Sequence, residues 1–93
     1  MSIERQFIEI QKLCTIYDVT PDLLIALEEH DLISIAYTEE AILLDVDELG
    51  KFEQWMRLHY DLGINIPGLA VIQDLLEERE NLRQELAHLR SKI

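Results

Sequence analysis

Positive charge is scarce in the first half of this chain. Residues 1–50 contain two basic side chains, Arg5 and Lys12, against twelve acidic ones, a net charge of −10. Residues 51–93 are nearly balanced, with six basic and seven acidic groups. Such a field repels phosphate backbones and anionic lipid and attracts basic protein surfaces, although solubility alone also rewards it. Cysteine is almost absent. Cys14 stands alone, so no internal disulfide can form, and a reducing cytoplasm is the simplest home. No apolar run approaches the roughly 18 residues of a membrane span. The opening stretch, Met1 to Leu13, carries charge throughout and does not read as a secretory signal.

The residues that chemistry needs are equally thin. Gly50, Gly63 and Gly68 are scattered and build no phosphate-cradling loop. His30, His59 and His88 fall on three different segments, with no His-x-x-x-His or Cys-x-x-Cys pair to hold a metal. Cys14 lies on an apolar helix face, where a small core residue is the simpler reading than a nucleophile. Asp45-Val46-Asp47-Glu48-Leu49-Gly50 begins like a calcium loop. Its fifth position is Leu49 and its twelfth is Met56, so two chelating positions are lost and the segment reads as a helix cap. The expectation is a protein with no catalytic centre, metal or cofactor.

What the chain does have is apolar content. At 48% it supplies a core for one domain, in which a chain of this length buries about two thirds of its unfolded surface. Residues 6–17 suit a helix after a short extended start, with Phe7, Ile8, Ile10, Leu13, Cys14 and Tyr17 inward. Thr20-Pro21-Asp22 supplies a capping oxygen, a preset φ and a carboxylate for the positive end of a second helix. That helix is expected to bury Leu23, Leu24, Leu27 and Ile25, and to stop near His30-Asp31. Residues 33–37 and 41–44 flank the polar Thr38-Glu39-Glu40 and predict a hairpin, despite the lack of a turn glycine. A third helix over roughly 47–61 starts from an Asp45 or Asp47 cap, with Leu49, Phe52, Met56, and His59 or Tyr60 on one face. Gly63 ends it, and Asn65-Ile66-Pro67 starts a long fourth helix.

Helix, helix, hairpin, helix, helix is a winged helix-turn-helix order. The predicted fold is mostly α, a winged helix-turn-helix unit over 1–68 with a small hairpin, followed by a C-terminal helix over 69–93. Ile10-Gln-Lys-Leu-Cys14 through Val19-Thr20 to Leu32-Ile33 resembles the opening of the MerR-type fold. More specifically, the chain resembles the bacterial CbpM chaperone modulators. That resemblance rests on Ile10 to Cys14, on Met56-Arg-Leu-His-Tyr-Asp-Leu62, and on Gly63-Ile-Asn-Ile-Pro-Gly-Leu-Ala-Val71, and it covers nearly the whole chain. Ile66 departs mildly from it, since Trp is frequent there.

The resemblance implies an adaptor that binds the J-domain of a CbpA- or DnaJ-type co-chaperone and blocks its access to a DnaK-type chaperone. J-domains present a basic helix to that chaperone, which an acidic surface complements; Asp22, Glu28, Glu29 and Asp31 are the residues expected to help dock it. The runner-up is a MerR-like transcriptional regulator, and a purely structural dimerisation module is the third reading. A DNA reader places Arg, Lys, Asn or Gln on its second helix and cations around it. Here that helix has none of the four, and the expected wing turn carries Glu39 and Glu40.

The terminal helix has a seam of its own. As heptads, Ile72, Arg79, Leu86 and Ile93 occupy a, and Leu75, Leu82 and Leu89 occupy d. Positions g hold Glu78, Glu85 and Lys92, and positions e hold Leu76, Arg83 and Arg90. The stripe either packs on its own domain, as residues 69–76 should in part, or joins a second molecule. For residues 79–93 the expectation is intermolecular, a weak homodimer through Leu82, Leu86 and Leu89.

Overall fold

The computed structural model describes residues 5–93, so the first four positions of the stretch read against a secretory signal, and of the 1–68 unit, lie outside it. The elements follow in the order β1 (Phe7–Glu9), α1 (Ile10–Tyr17), α2 (Pro21–Glu29), β2 (Ile35–Tyr37), β3 (Ile42–Asp45), α3 (Leu49–Leu62) and α4 (Ile66–Ser91). A single 3₁₀ turn, Val46–Glu48, precedes α3, so that helix begins two residues later than its cap chemistry suggested.

Side-chain caps set the helix boundaries. Thr20 Oγ1 accepts from the Leu23 amide at 3.3 Å and Pro21 opens α2. The far end of α2 is a Schellman turn: the Leu32 amide reaches the Leu27 carbonyl, the Asp31 amide reaches the Glu28 carbonyl, and Asp31 takes the left-handed conformation, φ 58°. Asp45 Oδ1 accepts from the Asp47 amide at 2.9 Å, which makes it the cap of the 3₁₀ turn. Asn65 Oδ1 accepts from the Gly68 amide at 2.8 Å and starts α4. A Cβ on Gly68 would stand 2.9 Å from Ile64 Cγ2 and 3.0 Å from that same Asn65 oxygen. The Pro67-Gly68 dipeptide is therefore what a tight corner needs: a fixed φ followed by no side chain.

The expected hairpin forms, and its missing glycine is explained. The Thr38 amide and hydroxyl both donate to the Ala41 carbonyl, while Thr38 Oγ1 accepts from the Ala41 amide, so one side chain closes the turn. The hairpin is not alone, however. β1 pairs antiparallel with β3, giving a three-stranded sheet in the order β1-β3-β2. Leu44 sits fully buried at its centre, with Ile8 and Ile35 beside it across the two strand pairs.

Ile10 and Leu13 of α1, Leu24 and Leu27 of α2, Leu32 and Ile33, Leu44, and Phe52, Trp55 and Met56 of α3 form one core with Leu69 of α4. Leu23 is only half-buried, and Ile25 faces outward with 41% of its surface exposed. Trp55 is the core residue that the α3 periodicity did not single out. Its indole Nε1 donates to the Leu32 carbonyl at 3.0 Å, tying α3 to the end of the helix-turn-helix. Tyr17 packs edge-on against Phe52, ring centroids 5.0 Å apart, and its hydroxyl donates to Glu53. α4 runs unbroken across the boundary expected at 68/69. Its first turns belong to the core through Leu69, with Ile66 and Ile72 packed alongside.

Candidate protein-docking surface

The second helix of a helix-turn-helix presents its outward face to a partner, and here that face is acidic. Asp22, Ile25 and Glu29 stand at i, i+3 and i+7 of α2, one above another, and all three are exposed. An apolar side chain between two carboxylates suits a partner that offers both a cation and a methylene stem. Neither α2 nor the wing turn carries an opposing cation.

The four expected docking residues do not form one patch. Asp22 and Glu29 share the outward face. Glu28 is turned toward the sheet, where its two carboxylate oxygens are occupied: Oε2 accepts from the Ile35 amide at 3.0 Å and Oε1 from the Tyr37 hydroxyl at 2.7 Å. That hydrogen bond, with smaller contributions from burial and from the negative charges of Glu28 and Glu29, raises the Tyr37 pKa above its ordinary value. Asp31 is exposed, but its backbone carries the left-handed turn and its carbonyl accepts from Gln73 Nε2 at 2.8 Å. Glu28 and Asp31 thus fasten α2 to β2 and α4 whatever else they touch.

The wing adds acidity at the other end of α2. Glu9, Glu40 and the apolar Ile10, Pro21, Ala41 and Ile42 line a shallow pocket of about 330 Å³ where the start of α1, the start of α2 and the wing turn meet. Sequence periodicity could not find this grouping, because it joins three segments that are distant along the chain. A second pocket, of about 450 Å³, lies under β2 and the 3₁₀ turn. It mixes Asp45, Asp47 and Glu48 with Arg5 and Lys51, so its charge is largely balanced within itself.

The leucines expected to self-associate are all on the surface: Leu82, Leu86 and Leu89 are 57%, 49% and 55% exposed. From Glu77 to Ser91 every residue of α4 is exposed. Among the described residues no group of three or more His, Cys, Asp or Glu is placed to hold a metal ion, and no helix is long and apolar enough to cross a membrane.

Comparison with known proteins bears on this arrangement. A family described as MerR HTH family regulatory protein matches residues 8–91. The chain is 30% identical to the chaperone modulatory protein CbpM of Pseudomonas putida (strain GB-1) over 87 residues, 92% of this chain and 86% of that protein. It is 28% identical to the protein of the same name from Pseudomonas entomophila (strain L48), with the same coverage. No solved structure matches significantly. The helix-turn-helix with its small sheet, the cap-and-corner sequence through Pro67-Gly68, and these relatives agree: the chain belongs to the CbpM family, a MerR-like helix-turn-helix lineage.

Proposed function

We propose that this protein is a cytoplasmic chaperone modulator that binds the J-domain of a CbpA- or DnaJ-type co-chaperone and inhibits it by covering the surface a DnaK-type chaperone would use. The relatives' name supplies chaperone modulation. The observation that carries the rest is the outward face of α2, where Asp22 and Glu29 flank Ile25 in the place a nucleic-acid reader fills with cations. J-domains present a basic helix, and an acidic face with an exposed isoleucine complements it in charge and in apolar contact.

The test is an immobilised J-domain titrated with the purified chain at two salt concentrations. Charge reversal by Asp22→Lys with Glu29→Lys is expected to slow association roughly tenfold at low salt, with the deficit shrinking as salt rises. An association rate that ignores both the substitutions and the salt would overturn the assignment of this face. A parallel titration with duplex DNA is expected to show no binding at physiological salt. Tight, salt-sensitive duplex binding would favour the transcriptional regulator instead.

A further inference from the structure

The pocket where the wing meets the two helix starts combines apolar walls with two carboxylates. Ile10, Pro21 and Ile42 supply the walls, while Glu9 comes from the head of α1 and Glu40 from the turn between β2 and β3. Neither carboxylate is used by the fold. Glu9 holds the N-cap position of α1 yet makes no side-chain cap there. The wing turn is closed by Thr38, without Glu40. Among the described residues the ion pair is Arg5 with Asp45, at 3.9 Å, so neither Glu9 nor Glu40 has a cation of its own. Lys12 lines the adjoining groove together with Glu9, but beyond ion-pair distance. Ile42, in the same pocket, leaves 43% of its surface to water. At about 330 Å³ the pocket stands at the low end of the roughly 300–1,000 Å³ of ligand sites, which suits one side chain and not a folded element.

We propose that this pocket receives a single lysine or arginine side chain from the basic helix that meets the outward face of α2. The site belongs to the proposed J-domain interface and depends on that reading. Charge and shape together select the occupant. A long cationic side chain has a methylene stem for Ile10, Pro21 and Ile42 and a head that two carboxylates can share. A purely apolar side chain would instead cover Glu9 and Glu40 without giving them a partner. The pocket is continuous with α2, because Pro21 forms part of its wall and Asp22, the first acidic residue of the outward face, comes next in the chain. From Pro21 to Glu29 the helix rises about 12 Å, so a basic helix of about eight residues spans the pocket at one end and Glu29 at the other. The two regions then act differently. Asp22 and Glu29 lie open on a helix surface and steer the encounter, whereas Glu9 and Glu40 hold a cation that apolar walls shield from water, which slows its escape.

Dissociation of the full chain from an immobilised J-domain, followed at low and at high salt, tests the site. Glu9→Gln with Glu40→Gln should speed dissociation about tenfold, with a smaller change in association, and the loss should persist as salt rises. Both residues are exposed, so this variant should melt within about 3 °C of wild type. Ala41→Leu fills the pocket while leaving every charge in place, and it should speed dissociation by a similar factor. Exchanging the basic residues of the J-domain helix for glutamine one at a time should find one position whose loss does not add to that of the Glu9→Gln, Glu40→Gln variant. Unchanged dissociation in that variant overturns the pocket and leaves the proposed function standing. Losses that add at every position overturn a single seated side chain in favour of a diffuse field. A J-domain that never binds the wild-type chain overturns the proposed function and the site with it.

Discussion

Glu28 is the residue at which a structural and a docking role can be separated by measurement. By charge it is one carboxylate in an acidic helix, yet the fold uses both of its oxygens. β2 is an edge strand, paired only with β3, so the Ile35 amide has no strand partner of its own on the open side. Glu28 Oε2 takes that place at 3.0 Å, in a half-buried setting. A hydrogen bond to a charged acceptor contributes roughly 1.5–3 kcal/mol, and partial exposure brings this to about 1–2 kcal/mol for the Ile35 contact. The exposed Tyr37 hydroxyl can turn to water, so its contact is left out of the sum. Glu28→Ala should therefore cost about 1–2 kcal/mol, out of a total of roughly 5–14 kcal/mol for a chain of this size. Glu29→Ala, one position along and fully outward, should fall within about 0.5 kcal/mol of wild type. Glu28→Gln keeps one acceptor oxygen and should recover part of the loss. Trp55, the single tryptophan and a buried one, reports unfolding by its fluorescence in a urea titration. Equal midpoints for Glu28→Ala and Glu29→Ala would refute this account and return Glu28 to the free acidic surface.

Two further outcomes follow from local geometry. Gly50 lies in α3 with open space where a Cβ would go, so Gly50→Ala should raise stability by about 0.5–1 kcal/mol, whereas Gly68→Ala should lower it by about 1 kcal/mol by displacing the Asn65 cap; thermal melting of the two variants should move in opposite directions. Tyr17 and Tyr37 both have raised pKa values, chiefly because their hydroxyls donate to Glu53 and Glu28. The folded chain then holds protons that the unfolded chain releases, so these bonds contribute fully below the ordinary tyrosine value near pH 10 and are lost as pH climbs through the raised one. Tyr17→Phe with Tyr37→Phe should flatten the decline in urea midpoint between about pH 9 and pH 11, and an unaltered decline would show that other groups cause it.

Reading the sequence located whatever is settled within a few residues. The Thr20-Pro21 and Asn65-Pro67 starts, the Gly63 stop and the hairpin all depend on side chains next to the backbone they serve, and each is where its local chemistry put it. The third strand was harder. Residues 7–9 read only as an extended start, because their partner is Leu43 to Asp45, far along the chain, and three residues have too little alternation to announce a pairing. Trp55 stands one position from Met56 and three from Phe52, so its spacing fits the buried face that those two define. The docking surface was legible as charge and not as geometry. Asp22 and Glu29 line up by helical spacing alone, but the diversion of Glu28 to β2 and of Asp31 to a helix end depends on tertiary neighbours. The terminal stripe was visible from its heptads, while its angle to the domain-facing side became measurable only once Leu69 and Gln73 had been placed.

The strand order β1-β3-β2 has a consequence for how the chain acquires its structure. The central strand is the last of the three to be synthesised. Until residues 42–45 leave the ribosome, neither β1 nor β2 has a hydrogen-bonding neighbour, so there is no partial sheet for the nascent chain to settle into. Once β3 is made, its pairing with β2 needs only the short turn between them, whereas its pairing with β1 must close the much longer loop back to residues 7–9. A substitution in Leu43 or Leu44 should then slow folding more than one in either outer strand, and a nascent chain arrested before Ala41 should remain as open to protease over residues 35–37 as over residues 7–9.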